Sequence, residues 1–204
     1  MEGLAREILD LTLEHLWLVF VAMMIAGAVG IGGGILLTRR PSWRGWVLGF
    51  ANVMQTVPSL ALFGFLIPIP FIGGIGKHTA ILALVLYAIL PVLRNTLAGI
   101  LGVDPAVRES AVAMGMNGRQ LLWQVELPLA ARTILAGVRV ATVTTIGTAT
   151  IAAAIGGGGL GVFIFRGLAS VDTTLILAGA IPAAAIALLV DGGLGWVEHK
   201  FSAV

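Results

Sequence analysis

Residues 16–37 read LWLVFVAMMIAGAVGIGGGILL, an uninterrupted run without a charged side chain. A helix that crosses the hydrocarbon of a bilayer needs about 20 mostly apolar residues, and this run has that length. The whole chain of 204 residues shares its character, with 58% hydrophobic and only 11% charged residues. Soluble domains carry about 25% charged residues, so this composition cannot cover a normal water-facing surface. We therefore predict an all-α integral membrane protein and favour it over a soluble domain with an unusually apolar core.

Four further runs have the length and apolar character of membrane spans, which gives five predicted transmembrane helices. After 16–37 they cover residues 46–68, 78–100, 133–155 and 174–196. We predict a single transmembrane domain over residues 1–204, with its longest connection at residues 101–132. The first run follows an acidic start, where a secretory signal needs a basic one, and it lacks the short apolar core of such a signal, so we expect it to be retained.

Basic residues in the loops predict the orientation, because Lys and Arg concentrate in short cytosolic loops. Six of the 12 Lys and Arg residues lie in the loops after spans one and three: Arg39, Arg40, Arg44, Arg108, Arg119 and Arg132. The N-terminus is therefore expected outside and the C-terminus in the cytosol. Since the basic residues flank apolar segments and form no single patch, no nucleic-acid partner is expected.

Polar residues inside two spans are candidates for a translocation path. In span two, Asn52, Gln55 and Ser59 follow i, i+3, i+7 spacing beside Pro58, which places them on one face of a continuous helix. In span four the candidates are three threonines: Thr144, Thr145 and Thr148. The alternative for Asn52 and Gln55 is hydrogen bonding between helices. For the threonines, close helix packing is the favoured alternative, because small residues are typical of membrane helix interfaces.

The sequence offers no catalytic or metal site. Cysteine is absent, and His15, His78 and His199 are too scattered to predict metal ligands. The glycines of IGGGGLG (155–161) have G-x-G-x-x-G spacing, but a dinucleotide site needs that pattern between a strand and a helix. A re-entrant or hinge segment is the better interpretation, since glycine tolerates positive φ. With no Walker-type phosphate loop and no nucleophile–base constellation, the chain is not expected to be an enzyme.

The connection at residues 101–132 contains ESAVAMGMNGRQLLWQVELPLA (109–130) and encodes two short helices. Asp104 followed by Pro105 predicts a capped helix start, and Gly115 predicts its end in the left-handed region. Asn117 with Gln120 has the spacing of a capping box for a second helix, which Pro128 ends or bends into span four. Both helices are too short to cross a bilayer and carry apolar surface. That surface predicts docking of a cytosolic partner; the alternative is that it lies on the membrane or on the protein's own spans.

This loop resembles the E-A-A-x₃-G-x₉-I-x-L-P signature of the membrane subunits of ABC importers. Ser110 replaces the first alanine and Val125 the isoleucine, while every spacing is kept. In that family the loop contacts the ATP-hydrolysing subunit. It lies between helices 4 and 5 of the family's common core, which correspond here to spans three and four. The resemblance implies that eight residues make this contact: Glu109, Ser110, Ala111, Gly115, Met116, Asn117, Leu127 and Pro128.

Four segments narrow the resemblance to type I, binding-protein-dependent permeases that import osmoprotectants such as glycine betaine, choline and carnitine. They are QTVPSLALFGFLIP (55–68), LPVLRNTLAGI (90–100), VDPAVRESAVAMGM (103–116) and IGTATIAAAIGGGGLGVFIFRGL (146–168). The resemblance implies a second permease subunit, identical or homologous, ABC ATPase subunits that use ATP and Mg²⁺, and an extracytoplasmic binding protein. It also implies a multi-pass location in the inner membrane of a prokaryote, with no cofactor on this chain. The alternatives are a permease for another small solute such as methionine, an ATP-independent channel or carrier, and a membrane anchor for an enzyme.

Overall fold

The computed structural model describes residues 2–70 and 73–201, so the ends of the predicted 1–204 domain and residues 71–72 lie outside it. Within these ranges the chain is helical and contains no strand. The α-helices are α1 (Glu2–Arg39), α2 (Pro41–Thr56), α3 (Ser59–Leu66), α4 (Lys77–Leu101), α5 (Pro105–Ala113), α6 (Gly118–Leu121), α7 (Leu127–Ala149), α8 (Gly161–Ser170) and α9 (Thr173–Lys200). A π-helical segment covers Leu122–Glu126, and a 3₁₀ segment covers Thr150–Ile155.

Within the described residues, four helical stretches are long and apolar enough to cross a membrane. They are α1, α4, the continuous stretch Gly118–Ile155 that contains α7, and α9. These stretches contain the predicted spans one, three, four and five. The all-helical membrane architecture is therefore confirmed for these elements.

Span two differs from its prediction, because α2 and α3 meet at an angle of 103°. The break lies at Val57 and Pro58, both in extended conformation, with ψ of 127° and 135°. A proline disfavours helical geometry in the preceding residue and lacks the N–H that would continue the helix hydrogen bonds. The predicted span over 46–68 is therefore two helices, and the described residues hold five spans only if this bent pair counts as one. The i, i+3, i+7 argument also fails, since Ser59 begins α3 whereas Asn52 and Gln55 lie on α2.

Helices α1, α4 and α7 pack side by side around the main core, which contains many alanines. Glycines allow the closest approaches. A Cβ added at Gly34 of α1 would lie 2.6 Å from the Cβ of Thr96 on α4, and one at Gly137 of α7 would lie 2.9 Å from the Pro91 carbonyl oxygen. Such close contact is how membrane helices gain packing energy where no hydrophobic effect acts between them.

Helix α9 is joined to α7 by a two-pronged ion pair. Arg139 Nε lies 2.7 Å from Asp191 Oδ1, and Arg139 Nη2 lies 2.8 Å from Asp191 Oδ2. Arg139 Nη1 also reaches Glu198 Oε2 at 3.4 Å. Charged groups within membrane spans are tolerated when they pair in this way, so these charges connect two helices.

The second short helix predicted in the long loop is not separate from span four. Residues 118–155 form one continuous helical stretch, in which the π-helical segment joins α6 to α7. Pro128 lies in the first turn of α7, and the Leu127 N–H donates to the Leu122 carbonyl five residues earlier. A proline lacks an N–H and its ring crowds the preceding turn, so a one-residue widening accommodates it without ending the helix. Pro128 therefore continues the stretch into α7.

Candidate functional site

The loop helix α5 begins and ends where the sequence predicts. The Asp104 carboxylate accepts a 2.8 Å hydrogen bond from the Ala106 N–H, and Pro105 is the first helical residue. At the other end Gly115 has φ +86°. The Gly115 N–H donates to Val112 O at 2.9 Å, and the Met116 N–H donates to Ala111 O at 3.2 Å. This pair of bonds is the Schellman motif, which needs a residue in the left-handed region.

A capping box directly after this turn starts α6. Asn117 Oδ1 accepts hydrogen bonds from the backbone N–H groups of Arg119 and Gln120, each at 3.0 Å. In return the Asn117 N–H donates to Gln120 Oε1 at 2.9 Å. Both ends of α5 and the start of α6 therefore have their backbone groups satisfied by local bonds, which fixes the turn between the two helices. The predicted turn between two helices is confirmed, although the second helix continues into α7.

This loop presents a largely uncovered surface. Of the eight residues assigned to the ATPase contact, Ala111 is buried, Met116 and Leu127 are half-buried, and the others are exposed: Glu109, Ser110, Gly115, Asn117 and Pro128. Large apolar side chains lie among them, with Val112 57%, Met114 73% and Trp123 62% exposed. Large apolar side chains left exposed on a structured loop indicate contact with a protein partner or with the membrane. The chain's own spans do not cover these three side chains.

Glu126 is the residue of this region whose role the sequence did not reveal. Its side chain is only 4% exposed and forms ion pairs with Arg39 at 3.0 Å and with Arg108 at 3.4 Å. Arg39 also donates to Gly118 O at 3.4 Å, and Arg108 donates to Ile100 O. A buried carboxylate is stable only when paired, and these two arginines pair it. The signal in the sequence was a lone acid in an apolar turn before a proline, which did not identify its partners.

The polar residues of α2 face α4. Asn52 Oδ1 accepts a 2.5 Å hydrogen bond from Arg94 Nη2, and Gln55 Nε2 donates to Tyr87 O at 3.1 Å. Both side chains thus make the helix–helix bonds that were one of their two predicted roles. Ser59 is separated from them by the bend at Pro58 and is half-buried. The role of these residues in a translocation path stays a prediction.

The three threonines of α7 point in two directions. Each hydroxyl donates to the carbonyl one turn earlier, at 2.8 Å for Thr144, 2.7 Å for Thr145 and 2.9 Å for Thr148. Thr145 is buried, and its hydroxyl lies 3.6 Å from Met23 Sδ of α1. Thr144 is exposed and Thr148 half-exposed, one turn apart on the same face. The structure places Thr145 in helix packing and leaves Thr144 and Thr148 accessible in this chain.

The glycine-rich segment at the opposite end of the helices is a tight turn that α1 holds in place. Glu14 accepts a 2.9 Å hydrogen bond from the Gly159 N–H and forms a 2.5 Å ion pair with Lys77. The adjacent residue His15 lies 3.1 Å from the Ile146 carbonyl, through Nε2. That carbonyl is available because α7 tightens into the 3₁₀ segment, where the Thr150 N–H donates to Gly147 O.

The same turn is not a nucleotide cradle. It follows a helical segment where a dinucleotide site would need a strand. Gly156, Gly158 and Gly159 have φ between +72° and +83°, as a tight turn of this kind requires. Within residues 2–70 and 73–201, no three His, Cys, Asp or Glu side chains are grouped to hold a metal ion.

Solved structures show the same fold. An inward-facing methionine ABC transporter, MetNI, matches with a TM-score of 0.88 and 20% identity, covering 98% of this chain and 99% of that one. A structure described as an amino acid ABC transporter with histidines matches with a TM-score of 0.76 and 20% identity, covering 98% of this chain and 95% of that one. At this identity the likeness concerns the fold alone.

Curated relatives are much closer in sequence. The carnitine transport permease OpuCB of Listeria monocytogenes is 46% identical over 197 residues, covering 97% of this chain and 89% of that protein. The choline transport system permease OpuBB of Bacillus subtilis (strain 168) is 42% identical over 196 residues, covering 96% and 89%. The osmoprotectant import permease OsmW of Salmonella typhimurium is 39% identical over 202 residues, covering 98% and 92%.

The family model described as "Binding-protein-dependent transport system inner membrane component" matches residues 30–203. The match contains the end of α1 and all of α2 to α9, with the loop of α5 and α6 and the glycine-rich turn. Members of this family are permeases of ABC importers, which agrees with the signature in the loop and with the apolar helices. The chain is therefore a multi-pass membrane protein that belongs to the family of binding-protein-dependent transport system inner membrane components.

Proposed function

We propose that this chain is the translocation subunit of an ATP-driven importer of osmoprotectants such as glycine betaine, choline and carnitine. The observation that carries the proposal is its near full-length likeness to permeases named for carnitine, choline and osmoprotectant transport, at 39–46% identity. The fold also resembles a methionine transporter, but 20% identity supports no substrate. Osmoprotectants are therefore the first substrates to test, and methionine is the alternative.

The proposed arrangement has five spans, with α2 and α3 together as one bent span. The positive-inside rule places the loops around Arg40 and Arg119 in the cytosol, together with the C-terminus, and the N-terminus outside. In this orientation α5, the Gly115 turn and α6 face the cytosol. The glycine-rich turn near Glu14 faces the extracytoplasmic side. Residues 1–204 form a single permease domain in the inner membrane of a prokaryote.

ATP hydrolysis takes place on separate ABC ATPase subunits, which hold ATP and Mg²⁺, and this chain binds no cofactor. The exposed side chains of Val112, Met114 and Trp123 support the loop as the docking surface for an ATPase, with Glu109 and Gly115 at its centre. The remaining partners are a second permease subunit, identical or homologous, and an extracytoplasmic binding protein. The chain works by alternating access, and Asn52, Gln55, Ser59, Thr144, Thr145 and Thr148 are its proposed path.

The test is to isolate the tagged chain from native membranes with a mild detergent and to identify what accompanies it. We expect an ATPase with a Walker motif and a binding protein. Deleting the gene should abolish uptake of labelled glycine betaine, choline or carnitine and leave methionine uptake intact. Loss of methionine uptake alone would contradict the substrate, and isolation without any ATPase would contradict the ATP-driven mechanism.

A further inference from the structure

The buried carboxylate of Glu126 joins three parts of the molecule at the loop end of the helices. It is the last residue of the π-helical segment and directly precedes α7. Its Oε2 pairs with Nη2 of Arg39, the last residue of α1, at 3.0 Å. Its Oε1 pairs with Nε of Arg108, in the middle of α5, at 3.4 Å. One side chain therefore connects α5, α1 and the start of α7.

The attachment matters because α5 has few other fixed points. Ala111 is the buried residue among the nine of this helix. Apart from the caps at its two ends, the long-range side-chain bonds of α5 pass through Arg108, which pairs with Glu126 and donates to Ile100 O in the last turn of α4. A force on the exposed face of α5 is therefore carried to the membrane helices through Arg108 as well as through the chain on either side of α5.

Charge and burial strengthen this connection. Glu126 is 4% exposed and Arg108 27% exposed, so water and salt screen the pair less than a surface pair. Arg39 adds a second tie, because its guanidinium also reaches Gly118 O at the start of α6. A carboxylate buried between two guanidinium groups cannot leave without exposing unpaired charges in a poorly solvated site.

Helix α1 extends this connection to the opposite end of the molecule. Between Arg39 and Glu14 the helix is uninterrupted, and 25 residues of helix span about 37 Å. There Glu14 holds the Gly159 N–H and His15 lies within hydrogen-bonding distance of the Ile146 carbonyl. The loop and the glycine-rich turn are thus attached to the same two helices, α1 and α7.

We propose that Glu126 is a positioning residue that transmits displacement of α5 to α1 and α7 and so couples the loop to transport. The inference rests on the proposed function, in which an ATPase docks on α5. Glu126 itself lies buried and does not touch the ATPase. Removing its charge therefore leaves docking intact and breaks the link behind the docked helix.

The test compares import per ATP hydrolysed in the complete importer, isolated through a tag on this chain and placed in proteoliposomes. The probe is a mixture of labelled glycine betaine, choline and carnitine. Glu126→Gln keeps the shape of the side chain but loses its charge. We expect it to retain the ATPase and to lower import per ATP at least about five-fold, within the usual range of coupling between sites. Glu126→Asp should recover part of the loss.

Arg39→Gln is the second variant, in case Glu126→Gln does not assemble. Arg39 is 44% exposed, and its loss leaves Glu126 paired with Arg108, so the chain is expected to fold. Its import per ATP should fall, and the double variant should lose little more than Glu126→Gln alone, because both act through one connection. The matched control is Glu7→Gln, which removes an exposed ion pair with Arg166 at the other end of α1 and should change nothing.

The outcomes separate this inference from the proposed function. If the wild-type chain carries an ATPase and both Glu126→Gln and Arg39→Gln import with the wild-type ratio, the inference is overturned and the proposed function stands. If Glu126→Gln loses the ATPase as well, Glu126 supports the docking surface itself and the inference is also overturned. If the wild-type chain carries no ATPase, the proposed function fails first.

Discussion

The turn at Gly115 allows a prediction whose magnitude follows from backbone geometry alone. Gly115 has φ +86°, and a Cβ added there would have no heavy atom within 4 Å. Substitution therefore causes no collision within the chain. Its effect comes from the left-handed conformation, which costs an L-residue roughly 1–2 kcal/mol. Asparagine tolerates this region best, alanine less well and a β-branched residue least.

We expect a graded series. Gly115→Asn should lower the equilibrium constant for forming the native turn least. Gly115→Ala should lower it about five-fold and Gly115→Val up to about thirty-fold, as 1 and 2 kcal/mol correspond to factors of roughly 5 and 30. Because the turn positions the exposed loop, ATPase recovered with the tagged chain and solute uptake should fall in the same order. Insertion in the membrane should not change.

The control is Gly118→Ala in the same loop. Gly118 is the first residue of α6, does not have positive φ and has open space around its Cβ position. Alanine is favoured over glycine in a helix, so this variant should keep wild-type uptake. If Gly115→Asn is as damaging as Gly115→Val, the glycine is needed for space against the partner, and the reasoning from backbone conformation is refuted.

Three further predictions concern other contacts of the structure. Gly158→Ala should impair uptake severely, because Gly158 has φ +83° and its Cβ would collide with the Glu14 carboxylate. Gly147→Ala, with open space around the added Cβ, should be neutral. Equal uptake by the two variants would contradict the described turn. Asp104→Ala removes the N-cap of α5 and should destabilise that helix by about 0.5–2 kcal/mol. The effect is measured as weaker ATPase retention, and Asp104→Ser should stay close to wild type. Full retention by Asp104→Ala would show that the cap is dispensable. Asp191→Asn should lower the melting temperature of the detergent-solubilised chain, because Arg139 loses its two-pronged partner. Arg139→Leu combined with Asp191→Leu should recover part of the loss. An unchanged melting temperature for Asp191→Asn would contradict a structural role of the pair.

The features predicted best from the sequence are those that depend on neighbours along the chain. Predicted span 78–100 is α4, Lys77–Leu101, and predicted span 174–196 lies within α9, Thr173–Lys200. The loop was predicted almost residue by residue, because an N-cap, a left-handed glycine and a capping box each act within a few residues. Helix α1 exceeds its predicted span, because hydropathy marks the apolar part of a helix and not its end.

The direction of the chain after Pro58 and the contacts between residues far apart in the sequence could not be predicted from local patterns. The spacing argument for Asn52, Gln55 and Ser59 assumed one continuous helix, and hydropathy does not reveal that the chain turns by 103° at Pro58. The sequence left open whether Pro128 ends the second loop helix or bends it into span four. In the structure a π-helical segment precedes Pro128, and the helix continues into α7. Glu126 pairs with Arg39, 87 positions away, and Glu14 holds the Gly159 N–H, 145 positions away. Such partners are set by how α1 packs against α7, which no local pattern records.

The most direct test of the account is uptake by proteoliposomes that contain the isolated complex, with ATP and Mg²⁺ enclosed on the side of the α5 loop and the binding protein on the other. The account predicts accumulation of labelled glycine betaine, choline or carnitine that requires ATP, the binding protein and this chain together. It also predicts none with a non-hydrolysable ATP analogue. Equal uptake by vesicles that contain this chain alone, without ATP, would contradict it.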